Sequence, residues 1–335
     1  MNALRFGDLA QSLMLRRQAA QLKADLAARS QELATGRAAD PAARLGGDTA
    51  RLAAIERDLS LTAPLRQLQA DAAARAAAMQ SALGRVQSRM EPLALTVLAA
   101  SNGSLSSEIA TAGAAARDAF ADAIPALNTT LAGRSLFAGA AVAGPALAPP
   151  DDMLADLRDA IGSETDPDAI ATIVRDWFAP GGGFDTEGYL GADTPAARVP
   201  LGGSEAAALD LRADDPAIRR ALAATALGAL ATDPALGLPR ATVQRLFATA
   251  GADLLAARDP LTELRAGLGA QEARIEEAGA RLQAARTGAE VARAALVGVD
   301  PYEAATQVEA LGQKLESLYA VTARLSRLTL LEQLR

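Results

Sequence analysis

The sequence has no cysteine and no histidine, and aromatic residues make up only 3% of it. Each absence excludes a class of chemistry. Without thiols there can be no disulfide, no thiolate nucleophile and no sulfur ligand for zinc. Without imidazole, the commonest metal ligand and the usual acid–base group near neutral pH are missing as well. A chain lacking thiols tolerates any redox compartment, so the cysteine count does not locate it. With few aromatics and abundant Ala and Leu, the core is expected to be built from close helix–helix seams. No apolar run free of charge reaches the length of a membrane span. The first residues, MNALRFGDLAQSLMLRRQ, are interrupted by Arg5, Asp8 and Arg16. They are therefore not a cleavable signal peptide, which on its own suggests a cytoplasmic protein.

What the chain does have is length and uneven charge. Its 335 residues suffice for two or three domains and a sizeable core. The net charge of −7 argues against binding nucleic acid or an anionic membrane. Residues 151–235 hold 16 Asp and Glu against 6 Arg and no Lys, a net of −10, whereas the rest of the chain carries +3. One central segment thus holds the acidity and reads as a solvent-facing module.

Apolar periodicity dominates both ends. Near the N-terminus, Leu15, Leu22, Leu26 and Leu33 form one stripe with Ala19, and Thr35-Gly36-Arg37 ends it. Asp48 can cap a second helix through Leu52, Ile55 and Leu59, in which Pro64 marks a kink or junction. Met79, Leu83, Val86, Met90, Leu93 and Val97 continue at alternating steps of four and three, with a local bend expected at Pro92. Ser101–Ser104 stops that helix, and a third is expected over about 106–131. After Pro145, Pro149 and Pro150 the pattern shortens. Helices are expected at 151–161 and 167–178, and Trp177-Phe178 reads as a small local core. A hairpin is expected around Gly202-Gly203. Asp214-Asp215-Pro216 starts another helix, to about Leu230. A long one follows, from about 240 to 297 and roughly 85 Å in length at 1.5 Å per residue. The last stretch opens with Asp300, Pro301 and Glu303, a cap, a first-turn proline and a capping-box acid. It carries Val308, Leu311, Leu315, Leu318 and Leu325 on one seam, continued by Thr322 and Thr329.

The expected fold is mainly α. Both chain ends form a long antiparallel helical bundle or coiled-coil rod, with a small α+β domain inserted in the middle. The boundaries read as 1–139, 140–213 and 214–335. No catalytic, cofactor-binding or metal-ligating constellation stands out. Gly181-Gly182-Gly183 is followed by Phe184-Asp185 and not by the Lys-Ser/Thr of a phosphate loop. The pairs Asp151-Asp152 and Asp214-Asp215 stand where helices begin, so capping and dipole complementation explain them. Asp166 and Asp168 lack the glycine and distal glutamate of a calcium loop. An enzyme hosted in the acidic segment is the weaker alternative, as is a cytoplasmic coiled-coil scaffold.

Five stretches together resemble a known family. They are Leu33-Ala34-Thr35-Gly36 with Arg37 and Asp40-Pro41; Leu98–Leu105 (LAASNGSL); Asn128–Gly139 (NTTLAGRSLFAG); Leu268–Ile275 (LGAQEARI); and Asp300–Leu334. In this order they resemble the flagellin family of the bacterial flagellum, and in particular its hook–filament junction branch. Ser135 departs from that branch, where an aromatic is more typical. The resemblance covers about 1–140 and 240–335 and leaves the centre as the family's variable outer part. It implies a structural subunit with no cofactor, exported unfolded by the flagellar type III pathway to the extracellular flagellum. The implied partners are other hook-associated proteins, flagellin, an export chaperone and copies of itself in a helical array, with no nucleic acid and no membrane. The alternative within the family is a filament-forming flagellin. The expected assembly interface is the pair of end seams: Leu15, Leu22, Leu26 and Leu33 with Leu311, Leu315, Leu318 and Leu325.

Overall fold

A computed structural model of the chain describes the backbone of residues 3–333 and the side chains of residues 10–324. In order, the elements are α1 (Ala3–Thr35), α2 (Pro41–Arg44), α3 (Ala50–Ser101), α4 (Ser106–Leu127), β1 (Thr130–Leu131) and β2 (Arg134–Ser135). Then come α5 (Pro150–Ile161), α6 (Pro167–Phe178), a π-type turn at Phe184–Gly188, β3 (Val199–Gly202) and β4 (Glu205–Ala207). The chain ends with α7 (Pro216–Leu230), α8 (Arg240–Val297) and α9 (Pro301–Gln333). The protein is mainly α, with two small antiparallel hairpins, β1–β2 and β3–β4. Among the described residues, no helix is long and apolar enough to cross a membrane.

Start signals do what their chemistry requires. Asp166 accepts from the Asp168 N–H at 3.1 Å and Asp215 from the Ala217 N–H at 2.9 Å, each just ahead of a proline in the first turn. Asp151 and Asp152 lie in the first turn of α5, where the helix dipole favours acids. Asp214 has a different task from the expected cap: it holds Arg212 through two contacts of 2.7 Å. α3 continues through Pro64 and Pro92 and does not end at either. Prolines cost backbone bonds there; around Pro92 the buried Met90, Leu93 and Ala94 offset that cost. α4 stops at Leu127, short of the expected 131, because Asn128 leaves the helix to hold a neighbouring loop.

The chain divides into two compact units, Met1–Ala63 with Gln283–Arg335, and Pro64–Leu282. In the second unit one continuous core runs through α3, α4, α5, α6, α7 and α8. Segment 140–213, expected as a separate inserted domain, shares this core: Leu147, Met153, Leu157, Ile170 and Phe184 are fully buried in it. The physical reason is that α5 and α6 are amphipathic and too short to cover their own apolar faces, so they lie on α4 and α7. α7 is buried nearly all round, and its small residues allow close approach; a Cβ on Gly228 would stand 3.1 Å from that of Ala116 on α4. The scarce aromatics are gathered locally. Trp177, Phe178 and Phe184 pack with ring centroids 4.7–5.9 Å apart, two of the three pairs edge to face.

A buried arginine ties this aromatic cluster to α7. Arg219 donates to the backbone oxygens of Asp214 at 2.7 Å and Phe178 at 3.2 Å, pairs with Asp185, and lies 4.8 Å from the Phe184 ring centre. Along α3 and α8 a second polar set fixes the pairing. Arg265 donates to the side-chain oxygens of Gln80 and Gln87, and Gln80 donates back to the Arg265 carbonyl at 2.7 Å. Polar contacts of this kind specify register within an apolar seam.

Candidate assembly interface

The unit formed by the chain ends is organised by α1 and α9. The two helices pack on each other and run antiparallel. Their direction follows from two contacts: Arg37, just beyond α1, bridges to Gly298, just before α9, while Lys23 lies over the Tyr319 ring at 5.6 Å. The first contact is a clip. The Ala38 N–H donates to Val297 O at 2.8 Å and the Val299 N–H to Gly36 O at 3.1 Å. Gly36 makes this turn possible. Its N–H still closes the last helical bond, to Glu32 O at 2.8 Å, but its φ of +66° reverses the chain, a conformation that suits glycine.

Glu32 holds the clip from beneath. It is only 6% exposed on α1. Its carboxylate accepts from the Ala39 N–H at 3.0 Å and from Arg29 Nη1 at 2.6 Å. Burial alone would push this carboxyl up; the Ala39 N–H and the charges of Arg29 and Arg44 outweigh it and hold the group below the usual carboxylate range. At the start of α9, the Asp300 carboxylate accepts from the Tyr302 N–H at 2.8 Å, as the cap signal required.

Of the expected seam, Leu15, Leu22 and Leu26 on α1 and Leu311, Leu315 and Leu318 on α9 are each half-buried. Leu33 is 40% exposed and lies off the covered side. Leu325 lies outside the residues whose side chains are described. On the same two helices Leu13, Met14, Tyr302, Tyr319 and Val321 are exposed. The pair therefore leaves apolar surface uncovered on both helices. Sequence reasoning missed Glu32, Val297 and Ala304, which are buried in this unit. An acid three residues ahead of Thr35-Gly36 was the available signal for the first. Ala304 contributes through small size and Val297 from the last position of α8, neither of which periodicity reveals.

Residues 254–334 match the family described as the bacterial flagellin C-terminal helical region. The match takes in the greater part of α8 and all of α9, so this stretch is similar to that helical region. No curated protein sequence matches the chain. Among solved structures, one described as a flagellar hook-associated protein from Vibrio parahaemolyticus is similar at 13% identity and a TM-score of 0.42, over 72% of this chain and 96% of that one.

Proposed function

We propose that the chain is a structural subunit of the bacterial flagellum, of the flagellin family, and that it joins hook-associated proteins to the flagellin filament. The observation that carries this reading is the flagellin-type region at 254–334, whose last helix lies on the N-terminal helix and leaves apolar side chains uncovered. Such surface on paired terminal helices suits a subunit completed by its neighbours. The seam of Leu15, Leu22, Leu26 and Leu33 with Leu311, Leu315, Leu318 and Leu325 then serves assembly, with copies of itself, hook-associated proteins and flagellin as neighbours. Export by the flagellar type III pathway, with an export chaperone, and an extracellular location go with this reading. The stretch Gly133–Gly139 supports the junction branch. Cells lacking the protein should keep an intact hook and shed monomeric flagellin; a normal filament in such cells would refute it.

A second reading, flagellin itself, draws on the same matched region, whose family is named for flagellin. Polymerisation separates the two: purified flagellin seeds long homopolymers and a junction subunit does not.

A further inference from the structure

In the second unit two surfaces of opposite charge lie on different flanks of α4. Between α3 and α4, a groove of about 380 Å³ is lined by Arg85, Ser88, Arg89, Asp122, Pro125 and Thr129, among others. Arg85 donates to Thr129 Oγ1 at 3.0 Å, joining two residues of the lining. Arg134 lies outside this lining, on the hairpin that follows Thr129, where it pairs with Leu131; it disfavours the charge on Arg75 of α3, a group already penalised by burial. The carboxylate in the groove, Asp122, is already engaged by Arg89 at 2.9 Å. Among the described residues no carboxylate pairs with Arg75, Arg85 or Arg134.

The other flank carries α5, with Asp151, Asp152, Asp156 and Asp159 outside its buried side. Asp152, Asp156 and Asp159 are spaced by four and three residues, so like charges stand next to each other on one face. The bases nearest to this helix, Arg117 and Arg158, are both spent on Asp233 at 3.5 Å. None of the four aspartates has an ion pair among the described residues. Each surface therefore carries charge without an ionic partner, and each has the charge that the other lacks. Arg117 of α4 lines the α5 side, whereas Asp122 and Pro125 line the groove.

We propose that the α3–α4 groove, with Arg134 on the adjoining hairpin, receives the acidic face of α5 from a second copy of this chain. The contact is heterologous, one surface of each copy meeting a different surface of the next, so it propagates along an array and does not close as a dimer. It rests on the proposed assembly function and names one of its subunit contacts. Charge here sets orientation and encounter more than affinity.

The absence of native cysteine makes the test direct. In the purified full chain, Thr130→Cys beside the groove and Ala160→Cys on α5 are joined by a short bifunctional maleimide, and the linked oligomers are measured. Linkage between copies is expected at about 0.1 M salt and is expected to fall as the screening length shortens from about 10 Å to about 3 Å at 1 M. Arg85→Glu with Arg134→Glu, or Asp156→Arg with Asp159→Arg, should each lower linkage roughly fivefold or more. Mixing the two reversed chains should restore it. The neutral variants Arg134→Gln and Asp156→Asn give intermediate loss if folding of a reversal variant is in question. Linkage that ignores charge and salt, or that is not restored by mixing, overturns the proposal. Absence of the protein from sheared flagella would overturn the flagellar reading instead, and the two failures are told apart because the linkage assay needs no flagellum.

Discussion

Glu32→Ala is the sharpest probe of how the two chain ends are joined. The side chain is almost fully buried, and its carboxylate receives the Ala39 N–H and the Arg29 guanidinium. Truncation leaves the Ala39 N–H without its acceptor in a partly buried turn and frees Arg29, which is partly exposed and contributes less. We expect a local cost of about 1–2 kcal/mol, a factor of roughly 5–30 in the opening equilibrium of the turn. Hydrogen exchange reads it directly. The Ala38 and Val299 amides, which close the clip, should exchange faster by that factor, whereas the Ala148 amide, bonded to Gly188 O at 2.9 Å in the other unit, should not change. Acid supplies the independent check. The folded carboxyl titrates below its ordinary value of 4.5, so its contribution is present above that value and is lost as pH falls through the lower folded one. Clip protection in the wild type should weaken in that acid window. Glu32→Gln keeps an acceptor for Ala39 and should remove the acid step with a smaller cost at neutral pH. Unchanged exchange at Ala38 and Val299 in Glu32→Ala would refute this account of the clip.

Four further outcomes are expected. Leu318→Asp places a charge on a half-buried seam, and deletion of 310–335 removes most of α9; both should abolish incorporation into the flagellum while the second unit stays folded, and wild-type motility in either would argue against the seam. Arg219→Ala leaves the Phe178 carbonyl without this donor and Asp185 with the Gly181 N–H alone, although Asp214 keeps Arg212, so denaturant unfolding should show a loss of about 2–3 kcal/mol. Gly139→Ala should cost at least about 1–3 kcal/mol in the same measurement, because φ is +62° and the new Cβ would stand 2.6 Å from the carbonyl oxygens of Ala192 and Thr194. Ser135→Ala should be neutral or stabilising by up to about 1 kcal/mol, since its buried Oγ has no hydrogen-bond partner among the described residues.

Local signals were legible where one stretch of chain decides the outcome. The caps at Asp166, Asp215 and Asp300, the stop at Ser101–Ser104 and the span of α8 all follow from short-range chemistry. The glycine at the end of Gly133–Gly139 was visible as part of a motif, but its reason was not: Gly139 is held against two carbonyls more than fifty residues along from it. How segment 140–213 packs on the neighbouring helices was not legible for a similar reason. A change of composition marks where the chain becomes acidic on its exposed positions, whereas core membership depends on the buried ones, and those of α5 and α6 join α4 and α7. The hairpin β1–β2 was hidden inside a motif read as the end of a helix. It turns through Ala132 and Gly133, both at positive φ. Arg219 and Glu32 carry no periodic signal at all; each is defined by the backbone groups of a distant or reversed segment.

The two units differ in how fully they cover their own apolar surface. In the second, large side chains such as Phe120, Phe137, Phe247 and Leu83 are sealed within one core. In the first, the buried apolar residues among those described are Leu52, Val297 and Ala304, while Leu15, Leu22, Leu26, Leu311, Leu315 and Leu318 of α1 and α9 are half-buried. Helices of 33 residues with one partly covered stripe gain most of their stability from packing and little from propensity. Fully burying one leucine contributes about 1.5–3 kcal/mol, so completing six half-covered leucines would release several kcal/mol. That gain is open to a neighbouring subunit and closed to the isolated chain. In the proposed assembly, order in the first unit is expected to rise while the second unit changes little; the clip at Gly36 and Gly298 fixes the register of the two terminal helices on each other.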